Sequence, residues 1–242
     1  MSVVAEAGRM LWPEPGDRHG PLAPLLVALT FVTGLVDAAS YLKLGHVFVA
    51  NMTGNVAFLG LALAGAGGLS ATASLVALGS FLLGALGGGW LGSRNPSHRG
   101  HLLRAASSAQ APLIILALVL ALFAGEPFKA DVRYALTVLL ALAMGIQNAS
   151  AQRLAVPDLT TTVLTRTLTG LASETALVDG PGSMLGRRIV AVAALLLGAL
   201  AGGVLALKVS VAADLAIAAA IVLAVALAVH IASRSDAAWT SA

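Results

Sequence analysis

The sequence predicts an all-α protein, a polytopic transmembrane helix bundle of about six spans in two inverted three-helix repeats, each with a broken or re-entrant segment. Three observations lead to this prediction: composition, internal duplication and the placement of positive charge. The 242-residue chain is 58% hydrophobic, with a mean hydropathy of +0.92. Only 10% of its residues are charged, against roughly 25% in an ordinary soluble domain. A soluble fold could not cover so much apolar surface.

The duplication is visible in three pairs of matching segments that occur in the same order in both halves of the chain. The best pair has eight identities in twelve positions. Constant order and nearly constant spacing indicate a duplicated unit of about half the chain. We therefore expect a single transmembrane domain over 22–233, with repeat one at 22–125 and repeat two at 131–233. The pairs, spaced by 114, 111 and 112 residues, are 80–91 with 194–205, 34–40 with 145–151, and 52–56 with 164–168.

Each apolar run predicts one element, because about 20 helical residues cross a hydrocarbon core of about 30 Å. The run 47–66 is apolar enough to span, but its counterpart at 159–172 is not. Residues 159–169 hold six threonines and an arginine, a poor surface for contact with lipid. We expect both of these segments to be broken or re-entrant. The remaining runs, taken as spans, are 22–42, 71–91, 105–124, 135–151, 190–207 and 215–231.

Positive charges set the predicted topology, because Lys and Arg are retained in cytoplasmic segments. If 47–66 and 159–172 both crossed, eight spans would place the two basic loops on opposite faces. With six spans, all basic clusters and both termini are cytoplasmic, and we prefer this solution. Three crossings per repeat, an odd number, then make the second repeat inverted. The basic residues are Arg94, Arg99 and Arg104, Arg187 and Arg188, and Arg9, Arg18 and Arg234 near the termini.

The ends of the chain and its composition exclude several classes of protein. Residues 1–21 are charged and contain Pro13, so we expect a disordered cytoplasmic tail, with a second tail at 234–242. The first apolar run is too long for a signal peptide. The chain lacks cysteine, and its histidines lack a ligand spacing, so we expect no metal and no cofactor. Membrane topology accounts for the basic residues, so no nucleic acid is expected.

Asp37 is the one acid deep in a long apolar run, and its counterpart in the second repeat is the neutral Asn148. A carboxylate at that depth costs at least about 2.5 kcal/mol on insertion scales, so it should face the protein interior. One interpretation is a site for a proton or a cation. The other is a hydrogen-bond hub that braces the broken segment. The sequence leaves both open.

The two broken segments supply the other candidate site residues. Arg166 stands where repeat one has Gly54; it could bind an anion or neutralise Asp37, or it could snorkel or pair with a nearby acid. Small polar residues there suit the start of a half-helix, whose N–H groups could bind a substrate, although ordinary interhelical hydrogen bonds are the alternative. The candidate set for substrate or ion binding is Asp37, Asn51, Thr53, Gly54, Asn55, Asn148, Thr165 and Arg166.

Paired glycines recur on the duplicated helix, as Gly84 with Gly88 and Gly198 with Gly202. The absence of side chains at such GxxxG positions lets two helices approach closely. We expect these residues to serve helix packing, with the two duplicated helices contacting each other or the broken segments.

Two motifs carry a resemblance to a known family. Thr-Gly-Leu-Val-Asp at 33–37, followed by Asn-Met-Thr-Gly-Asn at 51–55, resembles the bacterial YoaK family, known as domain of unknown function 1275. Gly-Ile-Gln-Asn-Ala at 145–149 resembles the second half of that family. The resemblance implies an integral protein of the bacterial inner membrane with about six helices, and it supplies no function. Arg166 departs from the glycine that the resemblance leads us to expect.

The function predicted from these features is that of a small secondary transporter or permease, with Asp37 as the coupling group. A non-transporting scaffold or assembly factor is the alternative, since it needs only the glycine faces. An intramembrane enzyme would need a second acid, a histidine pair or a nucleophile at depth, which the sequence does not offer, so we expect no enzyme. The expected partners are the lipid bilayer and an unidentified small molecule or ion, with a homo-oligomer left open.

Overall fold

A computed structural model describes residues 3–14, 16–95, 98–157, 159, 161, 168–169, 185–233 and 238–240. Within these ranges the secondary structure is helical, which confirms the all-α prediction. A short 3₁₀ turn, Ala238–Thr240, follows the last α-helix. The helices are α1 (Val3–Leu11), α2 (Leu22–Lys43), α3 (Met52–Leu63), α4 (Ala71–Arg94), α5 (Arg99–Ala124), α6 (Ala130–Leu154), α7 (Leu185–Lys208) and α8 (Val211–Ala232).

Six of these helices, α2 and α4 to α8, are long and apolar enough to cross a membrane. They contain 22 to 26 residues, or about 33–39 Å at 1.5 Å per residue, which exceeds a hydrocarbon core of about 30 Å. Helix α3 has 12 residues and is therefore only about 18 Å long. It occupies the run 47–66 and is too short to span by itself, while its re-entrance stays a prediction.

Helices α2 and α6 lie at the centre of the bundle. In the most apolar stretch of each span, 67% of the residues of α2 and 61% of those of α6 are buried, against 28% to 39% in the other four. Helix α2 packs against α7 and α8, and α6 packs against α4 and α5. Helices α5 and α8 also pack against each other. Polar side chains in the middle of α2 and α6 are therefore enclosed by protein.

Close backbone contacts at glycines hold the pairs α4–α6 and α2–α7 together. A methyl group at Gly84 would lie within 3.0 Å of the Leu142 carbonyl in α6, and one at Gly198 equally close to the Phe31 carbonyl in α2. Gly88 and Gly202 have the same relation to the facing helix one turn along. The glycines of α4 and α7 thus contact α6 and α2, not each other or the broken segments as the sequence suggested.

Described residues near both ends of the chain, 3–11 and 238–240, pack on the bundle, which differs from the tails predicted there. Residues 3–11 form α1, which packs on α7; Met10 is buried, and the Glu6 carboxylate accepts a hydrogen bond of 3.1 Å from the Gly186 N–H. Residues 3–11 form a helix on the bundle because their pattern is amphipathic and the apolar side packs on α7. At the other end, Trp239 is buried against Gly20 and leaves no space there for a side chain.

Candidate functional site

Asp37 binds the backbone of the segment that leads into the short helix α3. Its Oδ1 accepts hydrogen bonds of 2.8 Å from both the Val49 and the Ala50 N–H groups. Its Oδ2 accepts one of 3.1 Å from the Asn51 N–H and another from the Asn51 side-chain amide. The segment is neither helix nor strand, so these N–H groups have no ladder partner, and the carboxylate satisfies them. Consecutive N–H groups of this kind form a concave anion site, which Asp37 fills.

Asn55 closes the same loop from the other side. Its side chain is fully buried, accepts a hydrogen bond of 2.9 Å from the Phe48 N–H and donates one of 2.6 Å to the Phe48 carbonyl. Gly54 lies under the Phe48 ring, where a methyl group would come within 3.0 Å of ring carbons. The ring of Tyr41 stacks on that of Phe48, with centroids 5.4 Å apart. The loop is thus clamped to α2 and to the first turn of α3.

Four of the predicted site residues, Asp37, Asn51, Gly54 and Asn55, come together in this cluster. Thr53 does not join them, because its side chain is exposed. The N–H groups at the start of α3, which were predicted to be available to a substrate, already have partners within the protein. The Met52 and Gly54 N–H groups bond to backbone carbonyls, and those just before the helix bond to Asp37. These N–H groups therefore bond within the protein, and Asp37 makes the contacts needed to brace the segment. Proton binding at Asp37 stays a prediction.

A second polar layer lies about one turn along α2. The Gln147 side chain on α6 donates a hydrogen bond of 2.9 Å to the Thr33 hydroxyl and accepts one of 2.7 Å from the Gln110 amide on α5. All three side chains are buried. Asn148, the predicted counterpart of Asp37, is also buried on α6. The layer joins three helices by amide hydrogen bonds, and Asp37 is four residues from Thr33 on the same helix.

Gln110, Gln147 and Thr33 were not among the predicted site residues, although the sequence held a signal for them. Each is a polar residue inside a long apolar run, as Asp37 is. The predicted site residues Thr165 and Arg166 lie outside the described residues. The glycine pairs serve helix contacts and do not line this polar region.

Asp214 is a further buried acid that the sequence analysis did not count. It lies in the first turn of α8, is 0% exposed, and neither carboxylate oxygen has a hydrogen-bond partner among the described residues. In the sequence it has the position of an ordinary acid at a helix N-terminus, which is normally exposed. The sequence analysis considered acids inside long apolar runs, and Asp214 precedes the run 215–231. Its burial accompanies the packing of α8 on α2 and α5.

The same end of the bundle carries an ion pair. The Lys43 ammonium at the end of α2 is 3.3 Å from the Glu126 carboxylate. The other oxygen of Glu126 accepts a hydrogen bond of 2.7 Å from the Val211 N–H at the start of α8. Glu126 thus ties α2 to the N-terminus of α8, one turn from Asp214. In the part of the chain that the structure describes, no three potential metal-ligating side chains come together.

Six long apolar helices and a buried polar interior define a multi-pass integral membrane protein. The family model described as protein of unknown function (DUF1275) matches residues 25–228. The chain belongs to this family, as the sequence resemblance indicated.

A curated relative agrees with this assignment. The chain is 36% identical over 152 residues to the UPF0700 transmembrane protein YoaK of Bacillus subtilis strain 168. The aligned part is 62% of this chain and 65% of the relative, so the match spans slightly less than two thirds of that protein. The comparison with solved structures gives no significant match.

Proposed function

We propose that this protein is a small secondary transporter or permease, in which the segment before α3 moves during transport. The observation that carries the proposal is the Asp37 cluster, an acid within a span that holds the irregular backbone of a broken segment. Transporters built from inverted repeats use discontinuous helices of this kind at their binding sites, because irregular backbone survives at membrane depth only inside protein or beside water.

The glycine contacts support a duplicated architecture. Gly34 of α2 faces the Leu195 carbonyl of α7, and Gly145 of α6 faces the Phe81 carbonyl of α4. The two glycines are 111 residues apart and the two carbonyls 114, the spacings found in the sequence repeat. Each unit then contributes three spans, and the two units have opposite orientations in the membrane. A substrate or ion site belongs at their interface.

A change in the protonation of Asp37 would release residues 49–51 from this side chain. As a carboxylate it is an acceptor only, and it faces four N–H donors. A proton on one oxygen turns an acceptor into a donor that points at other donors. Protonation would therefore weaken the hold on 49–51 and couple proton arrival to movement of the segment. The Thr33, Gln110 and Gln147 layer would supply neutral hydrogen-bonding groups to a small substrate.

Accessibility from the two sides of the membrane tests the proposal without knowledge of the substrate. The chain lacks cysteine, so a single Thr33→Cys change introduces one thiol into the polar layer. A transporter should let a membrane-impermeant maleimide reach this thiol from either face, in right-side-out and in inside-out vesicles. Val222→Cys, at a fully buried apolar position in the middle of α8, is the matched control and should stay unlabelled. Labelling of Thr33→Cys from neither face would contradict transport.

A scaffold or assembly factor is the second candidate, and one observation favours it. Asp37 is 4% exposed and both of its oxygens already hold donors, so its contacts are explained without any ligand. In a scaffold, Asp37 is needed for folding alone. The vesicle experiment distinguishes the two candidates, because a scaffold keeps one conformation and hides Thr33→Cys from both faces.

A further inference from the structure

Two aspartates are buried within the spans, and their surroundings are opposite. Asp37 faces four N–H donors, three from backbone and one from a side chain. Asp214 is 0% exposed, and its two oxygens have no donor among the described residues. Its own N–H bonds to the Ser210 carbonyl and gives nothing to the carboxylate. The two acids therefore cannot be stabilised in the same way.

The charged groups on the helices around Asp214 do not compensate it. Helix α8 packs against α2, α5 and α7. At this end α2 offers Lys43, which pairs with Glu126, and α7 ends at Lys208, which is exposed. From residue 111 to residue 124, α5 carries no titratable side chain.

The magnitudes decide between a charged and a neutral Asp214. Burying an unpaired charge is strongly unfavourable even after the protein relaxes. The N-terminal dipole of α8 favours a negative charge, but this stabilisation is much smaller than the cost of burial. The dipole is therefore too weak to hold a bare carboxylate here. A proton removes the charge.

We propose that Asp214 is a proton-binding site of this protein, distinct from the Asp37 cluster. The Glu126 bridge, from Lys43 to the Val211 N–H, lies one turn from Asp214, and both charged side chains of the bridge are partly exposed. Opening this bridge exposes the acid to the aqueous phase, and closing it traps the proton. The site does not depend on the proposed transport function, because a membrane scaffold could hold the same proton.

Dicyclohexylcarbodiimide tests the site, because it enters membranes and reacts with protonated carboxyl groups. The O–H adds across one C=N bond of the reagent, and an acyl shift then gives a stable N-acylurea that mass spectrometry locates. We expect modification of Asp214 but not of Asp37, whose oxygens are engaged, and a rate that falls as the buffer is made alkaline. Glu126→Gln keeps an acceptor for the Val211 N–H but loses the ion pair, so the rate of modification should respond faster to a sudden change of buffer pH.

Infrared difference spectra keep the inference testable if the reagent fails to reach the site. The wild-type protein should show a carboxylic acid C=O band that is absent from Asp214→Asn and retained in Asp37→Asn. A carboxylate band lost in Asp214→Asn would overturn the proposal. Protection of Asp214 by sodium at constant pH would also overturn it, in favour of a sodium site. None of these measurements requires transport, so a negative result here does not affect the interpretation of the vesicle experiment, and the reverse is also true.

Discussion

Replacement of Asp37 by asparagine changes one oxygen into an NH₂ group and leaves the shape of the side chain almost unchanged. The remaining oxygen can still accept from the Val49 and Ala50 N–H groups. The new NH₂ then faces the backbone and side-chain N–H donors of Asn51, which lose their acceptor. Asp37→Asn should therefore loosen the segment before α3 while the six spans stay folded, since their packing does not involve this carboxylate.

The size of the effect follows from the two donors that lose their partner. At about 1.5 kcal/mol each, the low end for hydrogen bonds to a charged group, the loss is about 3 kcal/mol. Each 1.4 kcal/mol is a factor of ten, so the open form of the segment should become about 100-fold more populated. Asn51→Ala removes only the side-chain donor and keeps the carboxylate, so the expected increase is about tenfold.

Thiol labelling measures this opening directly. Val49→Cys places a smaller side chain at a fully buried position of the segment, and its rate of reaction with a maleimide reports exposure. The rate should rise about 100-fold with Asp37→Asn. Thr53→Cys, at an exposed position, should react equally fast in every background. If Asp37→Asn left the rate of Val49→Cys within threefold of its original value, the carboxylate would not be what holds the segment.

Two further predictions concern packing and topology. Gly145→Ala should lower the melting temperature in detergent by about 5 °C, since an added methyl meets backbone of α4 and overpacking costs about 1–3 kcal/mol. Gly87→Ala, whose methyl would be 3.9 Å from the nearest side chain, should have little effect, and equal losses would refute the contact argument. Cysteines at Asn95 and Arg187 should label from the cytoplasmic face and one at Lys208 from the other; opposite faces for Asn95 and Arg187 would reject the six-span topology.

Hydropathy predicted the six spans because length and apolar content alone decide which helices can cross a bilayer. Hydropathy could not decide how residues 47–66 fold, because the run is apolar enough to span, yet its helix begins only at Met52. That start depends on Asp37, which engages residues 49–51 and keeps them out of the helix. The donors are backbone groups of mostly apolar residues, so the sequence shows the acid but not its partners.

The glycine pairs predicted a close helix contact but not the identity of the facing helix. The facing atoms are backbone carbonyls of Leu142 and Phe31. Every residue has a backbone carbonyl, so the sequence does not show which one a glycine will face. The burial of Asp214 was not predicted for a similar reason. Its position at the start of α8 is typical of an exposed acid, and its burial follows from the packing of α2 and α5, which are distant in sequence. Residues 3–11 were interpreted as a tail because the first 21 residues are charged and contain Pro13, whereas the contact of α1 with α7 depends on a helix distant in sequence.

The glycine crossings also determine which parts of the molecule can move as rigid bodies. Helices whose backbones touch cannot slide without collision, so α2 with α7 and α4 with α6 are each locked as a pair. Each pair takes one helix from either half of the chain. Each rigid pair therefore joins the two halves of the chain, and a hinge would have to lie between the two pairs. Neither half of the chain can then move as a rigid unit of its own.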